Sequence, residues 1–131
     1  MKHNIRGFTF PSPILRKEPR TGQIWRVHEA WTVAWEDAEG KREFTIPCGF
    51  TTDLMTSPLK PAGDETLASI LHDGLYVLQP EWCSRDYADE AFYSFLLECG
   101  TPRELAMHLY FAVQAFGFIF WNRRQRVGAT M

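Results

Sequence analysis

The chain has 131 residues, is 45% hydrophobic and 15% aromatic, with five Trp and ten Phe, and carries a formal net charge of −2. That length suits one domain with a sizeable core, and the charge balance leaves no electrostatic footprint for nucleic acid. Cys48, Cys83 and Cys99 form no CxxC pair, which argues against a disulfide frame or a cysteine zinc site and for a reducing compartment.

Met1 to Arg6 lacks the apolar core of a signal peptide. Residues 1–22 are rich in Pro, Gly and charge, with one β-like piece at Gly7–Phe10 that Pro11 and Pro13 end, and the remainder reads as loop. From Gln23 to Glu36 the pattern alternates. Trp25, Val27, Trp31, Val33 and Trp35 share one parity; Arg26, His28, Thr32 and Glu36 share the other. Period two over this length predicts a long strand with one buried face, and Glu29 breaks the parity where a bend would fall. His28, on the polar face, is read as solvated. Asp37-Ala38-Glu39-Gly40 is a turn, after which Phe44 and Ile46 alternate inward, so a β-hairpin is predicted.

Beyond Pro47 a Gly-bearing connection through Asp53 and a second loop through Ser57-Pro58, Pro61 and Gly63 lead into helices. Helix one is predicted over Glu65–Leu78, with Leu67, Ile70, Leu71, Gly74, Leu75 and Leu78 in one stripe, stopped by Pro80. Helix two is predicted from Ser84 as N-cap to Cys99, with Gly100 as the left-handed cap and Ala88, Phe92, Phe95, Leu96 and Cys99 as its stripe. Helix three opens on a capping box at Thr101-Pro102-Arg103-Glu104 and runs to about Trp121 through Leu105, Leu109, Val113, Phe116 and Phe120. The longest apolar run, Leu109 to Trp121 with Gln114 inside it, is shorter than the roughly 20 residues a bilayer crossing needs, so a soluble protein with no transmembrane segment is expected. Phe116 to Trp121 is apolar nearly all round and is read as buried on both sides. The competing reading is an exposed patch for a partner subunit, a virion surface or a lipid interface. Arg123-Arg124-Gln125-Arg126 reads as a solvated, helix-ending tail. These elements make an α+β fold in one domain over 1–131: a β-rich part at 1–58, three helices at 65–121 and a tail at 122–131.

The residues that could carry chemistry centre on helix one. His72 and Tyr76 are i,i+4 neighbours and Asp73 and Tyr76 i,i+3 neighbours, at the border of the apolar stripe. Asp89 lies one turn after Arg85, beside the apolar face of helix two. The short Leu78–Cys83 connection favours antiparallel helices that bring Asp89 towards His72 and Asp73. Two chemical readings follow. In one, His72 is a general base whose ring a carboxylate orients. In the other, His72 with two of Asp53, Asp73 and Asp89 holds a divalent metal such as calcium or zinc. Against both stands a polar network of Asp53, Tyr76, Arg85 and Asp89 that merely pins the helices together.

The order Phe44-x-Ile46-Pro47-x-Gly49-Phe50-x-Thr52-Asp53, Ser57-Pro58, His72-Asp73-x-x-Tyr76 and Ser84-Arg85-x-x-Ala88-Asp89-x-x-Phe92 resembles the DUF1353 family, over about residues 44–121. Met55-Thr56 departs from the small residues expected before that Pro. The resemblance implies a small protein of tailed bacteriophages or prophages, cytoplasmic in the host cell or virion-associated, and no established activity. His72-Asp73-x-x-Tyr76 with Asp89 on an antiparallel helix is also similar to the active-site helix pair of secreted phospholipases A2. That likeness implies His72 as base, Asp73 as calcium ligand, Asp89 as orienting acid and Tyr76 as a network partner. The chain lacks the Gly-rich calcium loop and the disulfide frame of those enzymes. Two functions compete: a phage-encoded hydrolase using His72, Asp73 and Asp89, and a non-enzymatic virion or host-interaction protein that binds its partner through the helix-three aromatics.

Overall fold

Among the described residues six short strands precede three helices, and the alternation in the sequence decides which faces of the strands turn inward. The computed structural model describes the backbone of residues 1–17, 24–53 and 64–130, and the side chains of 1–16, 26–51 and 67–122. The loop expected through Ser57, Pro61 and Gly63 lies outside the described residues. Strands β1 (Arg6–Thr9), β4 (Trp31–Asp37) and β5 (Gly40–Ile46) form one antiparallel sheet in the order β1-β4-β5. Strands β2 (Leu15–Lys17), β3 (Ile24–Val27) and β6 (Thr51–Asp53) form a second, in the order β2-β3-β6. Helices α1 (Asp64–Leu78), α2 (Arg85–Glu98) and α3 (Arg103–Thr130) complete an α+β fold.

The long strand predicted over 23–36 is two strands in two sheets. The Val27 N–H donates to the Phe50 carbonyl and the Val27 carbonyl accepts from Gly49, both at 2.8 Å, while the His28 N–H turns to the Ile14 carbonyl at 2.7 Å. The chain therefore leaves one ladder at Val27 and joins the other at Trp31, across Glu29. The parity survives the break, since Val27, Trp31, Val33 and Trp35 are all buried, as are Phe44 and Ile46 opposite. Strands β2 and β6, three residues each, fall in stretches that read as loop, because so short a strand carries no alternation.

Helix α1 packs its middle onto this sheet. Gly74 allows the approach: a Cβ there would lie 3.0 Å from the Ile46 side chain and 3.2 Å from Phe44. Ala68, Ile70, Leu71 and Leu75 are fully buried, but Leu78, assigned to the same stripe, is exposed, because α1 ends there with Gln79 in the left-handed region at φ 44°. Helix α2 is the central element, with Tyr87 to Tyr93, Phe95 and Leu96 all buried. The Ser84 hydroxyl accepts from the Tyr87 N–H at 3.0 Å and caps its start. At its end Gly100, at φ 93°, donates to the Leu97 carbonyl and Thr101 to the Leu96 carbonyl, a Schellman ending.

That ending overturns the expected capping box. The Thr101 N–H is spent on α2, α3 begins one residue later than expected with the Pro102 carbonyl accepting from Ala106, and the buried Thr101 hydroxyl has no partner among the described residues. Helix α3 also runs past the expected end at Trp121 into the segment read as a tail, as far as Thr130, since no proline follows Pro102 to break it. Its buried face is Ala106, Leu109, Gly117 and Trp121; Phe116 and Phe120, assigned to the core stripe, are exposed. The reading of Phe116–Trp121 as buried on both sides is thus corrected. By length and composition alone, the 20-residue stretch Arg103–Asn122 is also sufficient to cross a bilayer, with 22% of it buried against the protein.

Candidate functional site

Asp89 is fully buried near the middle of α2, and donors from the neighbouring helices converge on it. On Oδ1, the Tyr76 hydroxyl donates at 2.6 Å and His72 Nε2 lies at 2.7 Å, both from α1. On Oδ2, Gln114 Nε2 of α3 donates at 2.7 Å, and the Arg85 guanidinium stands 3.9 Å away, one turn back on α2. A carboxylate can only accept, so Nε2 of His72 is the donor, and in the neutral form of the ring the lone pair lies on Nδ1. No described residue bonds to Nδ1. Burial, and then the charge of Asp89 beside it, push the Tyr76 phenol well above its ordinary value, which keeps it a donor.

The ring of His72 is packed against two tilted aromatic neighbours. Tyr76 lies against it with ring centroids 4.3 Å apart and Phe92 at 4.8 Å, and His72 is left 7% exposed. Around this core, Arg85 donates to the carbonyls of Val113 and Gln114 at 3.4 and 3.2 Å, and Gln79 bridges the Tyr76 and Trp121 carbonyls at 2.9 and 3.1 Å. Helix α3 can come this close only because residue 117 is glycine, where a Cβ would collide with the Tyr76 hydroxyl. The site is thus one acceptor with its donors fixed by three helices, and an imidazole oriented by it.

Of the residues singled out from the sequence, His72, Tyr76, Arg85 and Asp89 meet here. Asp73, next along α1, is half-buried and has interactions of its own. Asp53 lies in β6, paired with Ile24, but its side chain, like the whole of Ser57, lies outside the described residues. Gln114 and Gly117 are the members that sequence reasoning missed. The signal was present for Gln114, the sole strongly polar side chain between Leu109 and Trp121. Among the described residues, no group of three or more His, Cys, Asp or Glu side chains is arranged to hold a metal ion. Both oxygens of Asp89 face N–H and O–H donors, the surroundings of a hydrogen-bond acceptor. A cation at His72 would have to draw on Nδ1 and on acids other than Asp89.

A second buried network lies on α2. The Tyr87 hydroxyl donates to Asp37 Oδ2 at 2.5 Å and accepts from the Trp35 indole at 2.8 Å, while Arg42 pairs with the same Asp37 oxygen at 3.2 Å and covers the Trp82 ring at 4.4 Å. The Glu39 N–H bonds the other Asp37 oxygen at 2.9 Å, and the network fastens the β4–β5 turn to α2.

No curated protein and no solved structure matches the chain. Residues 25–113 do match a family, described as "Protein of unknown function (DUF1353)". The span starts well before Phe44, ends short of Trp121, contains His72, Tyr76, Arg85 and Asp89, and stops one residue before Gln114. Since it covers more than half of the sequence, the chain belongs to the DUF1353 family.

Proposed function

We propose that this protein is a hydrolase in which His72 is the general base. The observation that carries the reading is the bond from His72 Nε2 to a fully buried Asp89, which leaves Nδ1 as the ring's basic nitrogen. Nδ1 takes a proton from water, the resulting hydroxide attacks an acyl carbonyl, and the imidazolium returns the proton to the departing oxygen. Asp89 fixes the tautomer and stabilises the imidazolium, while Tyr76 and Gln114 hold Asp89 in place. The likeness of His72-Asp73-x-x-Tyr76 and Asp89 to the phospholipase A2 helix pair supports ester hydrolysis, and Asp73 would then be the first acid to offer a divalent cation. A phage or prophage setting, implied by the family resemblance, belongs to the same proposal.

A second reading has its own observation. Asp89, on α2, gathers donors from α1 and α3, and His72 is only 7% exposed, which suits a non-enzymatic phage protein whose network is structural. One pair of variants separates the two. Under the hydrolase reading, His72→Ala melts within a few degrees of the parent and loses about 100-fold or more of its hydrolysis of carboxylic-ester and phospholipid substrates. Under the structural reading, His72→Ala and Asp89→Asn each lose about 3 kcal/mol or more in urea unfolding, and the parent hydrolyses none of those substrates.

A further inference from the structure

Between Leu109 and Trp121, α3 is turned inside out. Its strongly polar side chain, Gln114, points into the protein and bonds to buried Asp89, while Phe111, Phe116, Phe118, Ile119 and Phe120 are 45–65% exposed. At 3.6 residues per turn these five, with exposed Ala112 and Ala115 between them, sweep roughly 200° of the helix surface over about 14 Å of its length. No polar residue interrupts that face. Monomeric soluble proteins rarely leave so continuous an apolar surface without a partner.

The charges around the face decide what that partner is. From Leu105 to Met131 the chain has no Asp or Glu, and Arg123, Arg124 and Arg126 follow the apolar run after Asn122, in a protein whose net charge is −2. Backbone α3 continues as helix through these arginines. An apolar stretch followed by a cationic one, on one helix, complements a surface of hydrocarbon beneath anionic phosphates. A second copy fits less well. Parallel pairing of two such helices would bring the arginine clusters together, and antiparallel pairing would bring each to Arg103 and Glu104 at the opposite end, whose charges cancel and offer no net acid. Crossing a bilayer is opposed by the other face, where Gln114, Gly117 and Trp121 are committed to the protein.

We propose that the outward face of α3 docks the protein flat on an anionic membrane surface, with the phenylalanines in the acyl boundary and the arginines among phosphates. Most of this face lies beyond the residues matched to the family, and docking is independent of whether His72 is a base. The test is cosedimentation of the full chain with phosphatidylcholine vesicles, with and without phosphatidylglycerol. Binding is expected to the anionic vesicles, to weaken in about 0.5 M salt, and to fall about tenfold for Phe116→Ser and again for Phe120→Ser. Both residues are exposed, so melting should match the parent. A separate variant, Arg124→Gln with Arg126→Gln, should lose the preference for anionic over neutral vesicles. The proposal is overturned by three results: no cosedimentation with either vesicle, equal binding by the serine variants, or a dimer in buffer that ignores vesicles and that the serine variants dissolve. The last would assign the face to a second copy.

Discussion

Asp37 and Asp89 are both buried carboxylates, and the molecule stabilises them differently. Asp89 is hydrogen-bonded by Tyr76, Gln114 and the His72 ring, with the Arg85 guanidinium held back at 3.9 Å, whereas Asp37 is bonded directly by the Arg42 guanidinium at 3.2 Å. Burial alone would raise the Asp37 carboxyl, but the bonds from Tyr87, from the Glu39 N–H and from Arg42 outweigh it and hold the group below its ordinary 3.8. A folded-state value depressed in this way contributes stability above the unfolded value and loses it as pH falls through the folded one. Asp37→Asn should therefore unfold about 1–3 kcal/mol more easily at pH 7. The gap in urea midpoints should close below about pH 4. A gap that stays constant down to pH 3 would mean that the charge contributes nothing. In the sequence Asp37 was legible only as a turn residue, because its partner Tyr87 lies 50 positions away and no local pattern connects them. His72, Tyr76, Arg85 and Asp89 were legible because helical spacing and one short connection bring them together.

Among the elements, those with local chemistry were readable and those defined by long-range packing were not. The start of α2 at Ser84 and its end at Gly100 follow from an N-cap hydroxyl and a left-handed glycine, both visible in the sequence. The helix ends also make a contrast that can be measured. Ser84→Ala removes the acceptor for the Tyr87 N–H and should lower stability by about 1 kcal/mol. Thr101→Val replaces a buried hydroxyl that has no described partner with a methyl group of the same shape, and its melting temperature should equal or exceed the parent's. Equal losses in the two would show that Thr101 does cap α3. The outward turn of Phe116 and Phe120 was hidden for a different reason. A helix apolar nearly all round has no periodicity to say which side faces the core, and that choice is made by Gln114 reaching Asp89 and by Gly117 admitting Tyr76.

At the scale of the whole molecule, the α+β layering was legible, because period two gives way to period 3.6 near Pro47. The two-sheet arrangement was not, since it turns on three-residue strands and on pairings such as Val27 with Gly49 and Phe50. One further long-range feature bears on how the protein forms. The His3 N–H meets both carboxylate oxygens of Glu90 at 3.0 Å, and the Gly7 and Phe8 N–H groups donate to Glu98 at 2.7 and 2.9 Å, across 87 to 91 residues of sequence. The first strand is thus latched by side chains of the second helix. The strand also has its ladder with β4, but this latch cannot close during synthesis until residues as far as Glu98 have emerged, and in refolding it must wait for a loop of that length to close. The β4–β5 hairpin, joined by a two-residue turn, has no such delay. In pulse-labelled hydrogen exchange, the Gly7 and Phe8 amides should become protected after those of the hairpin; protection at the same time would show that β1 docks without its latch. The latch on the beginning of the chain is thus among the last contacts of the fold to close.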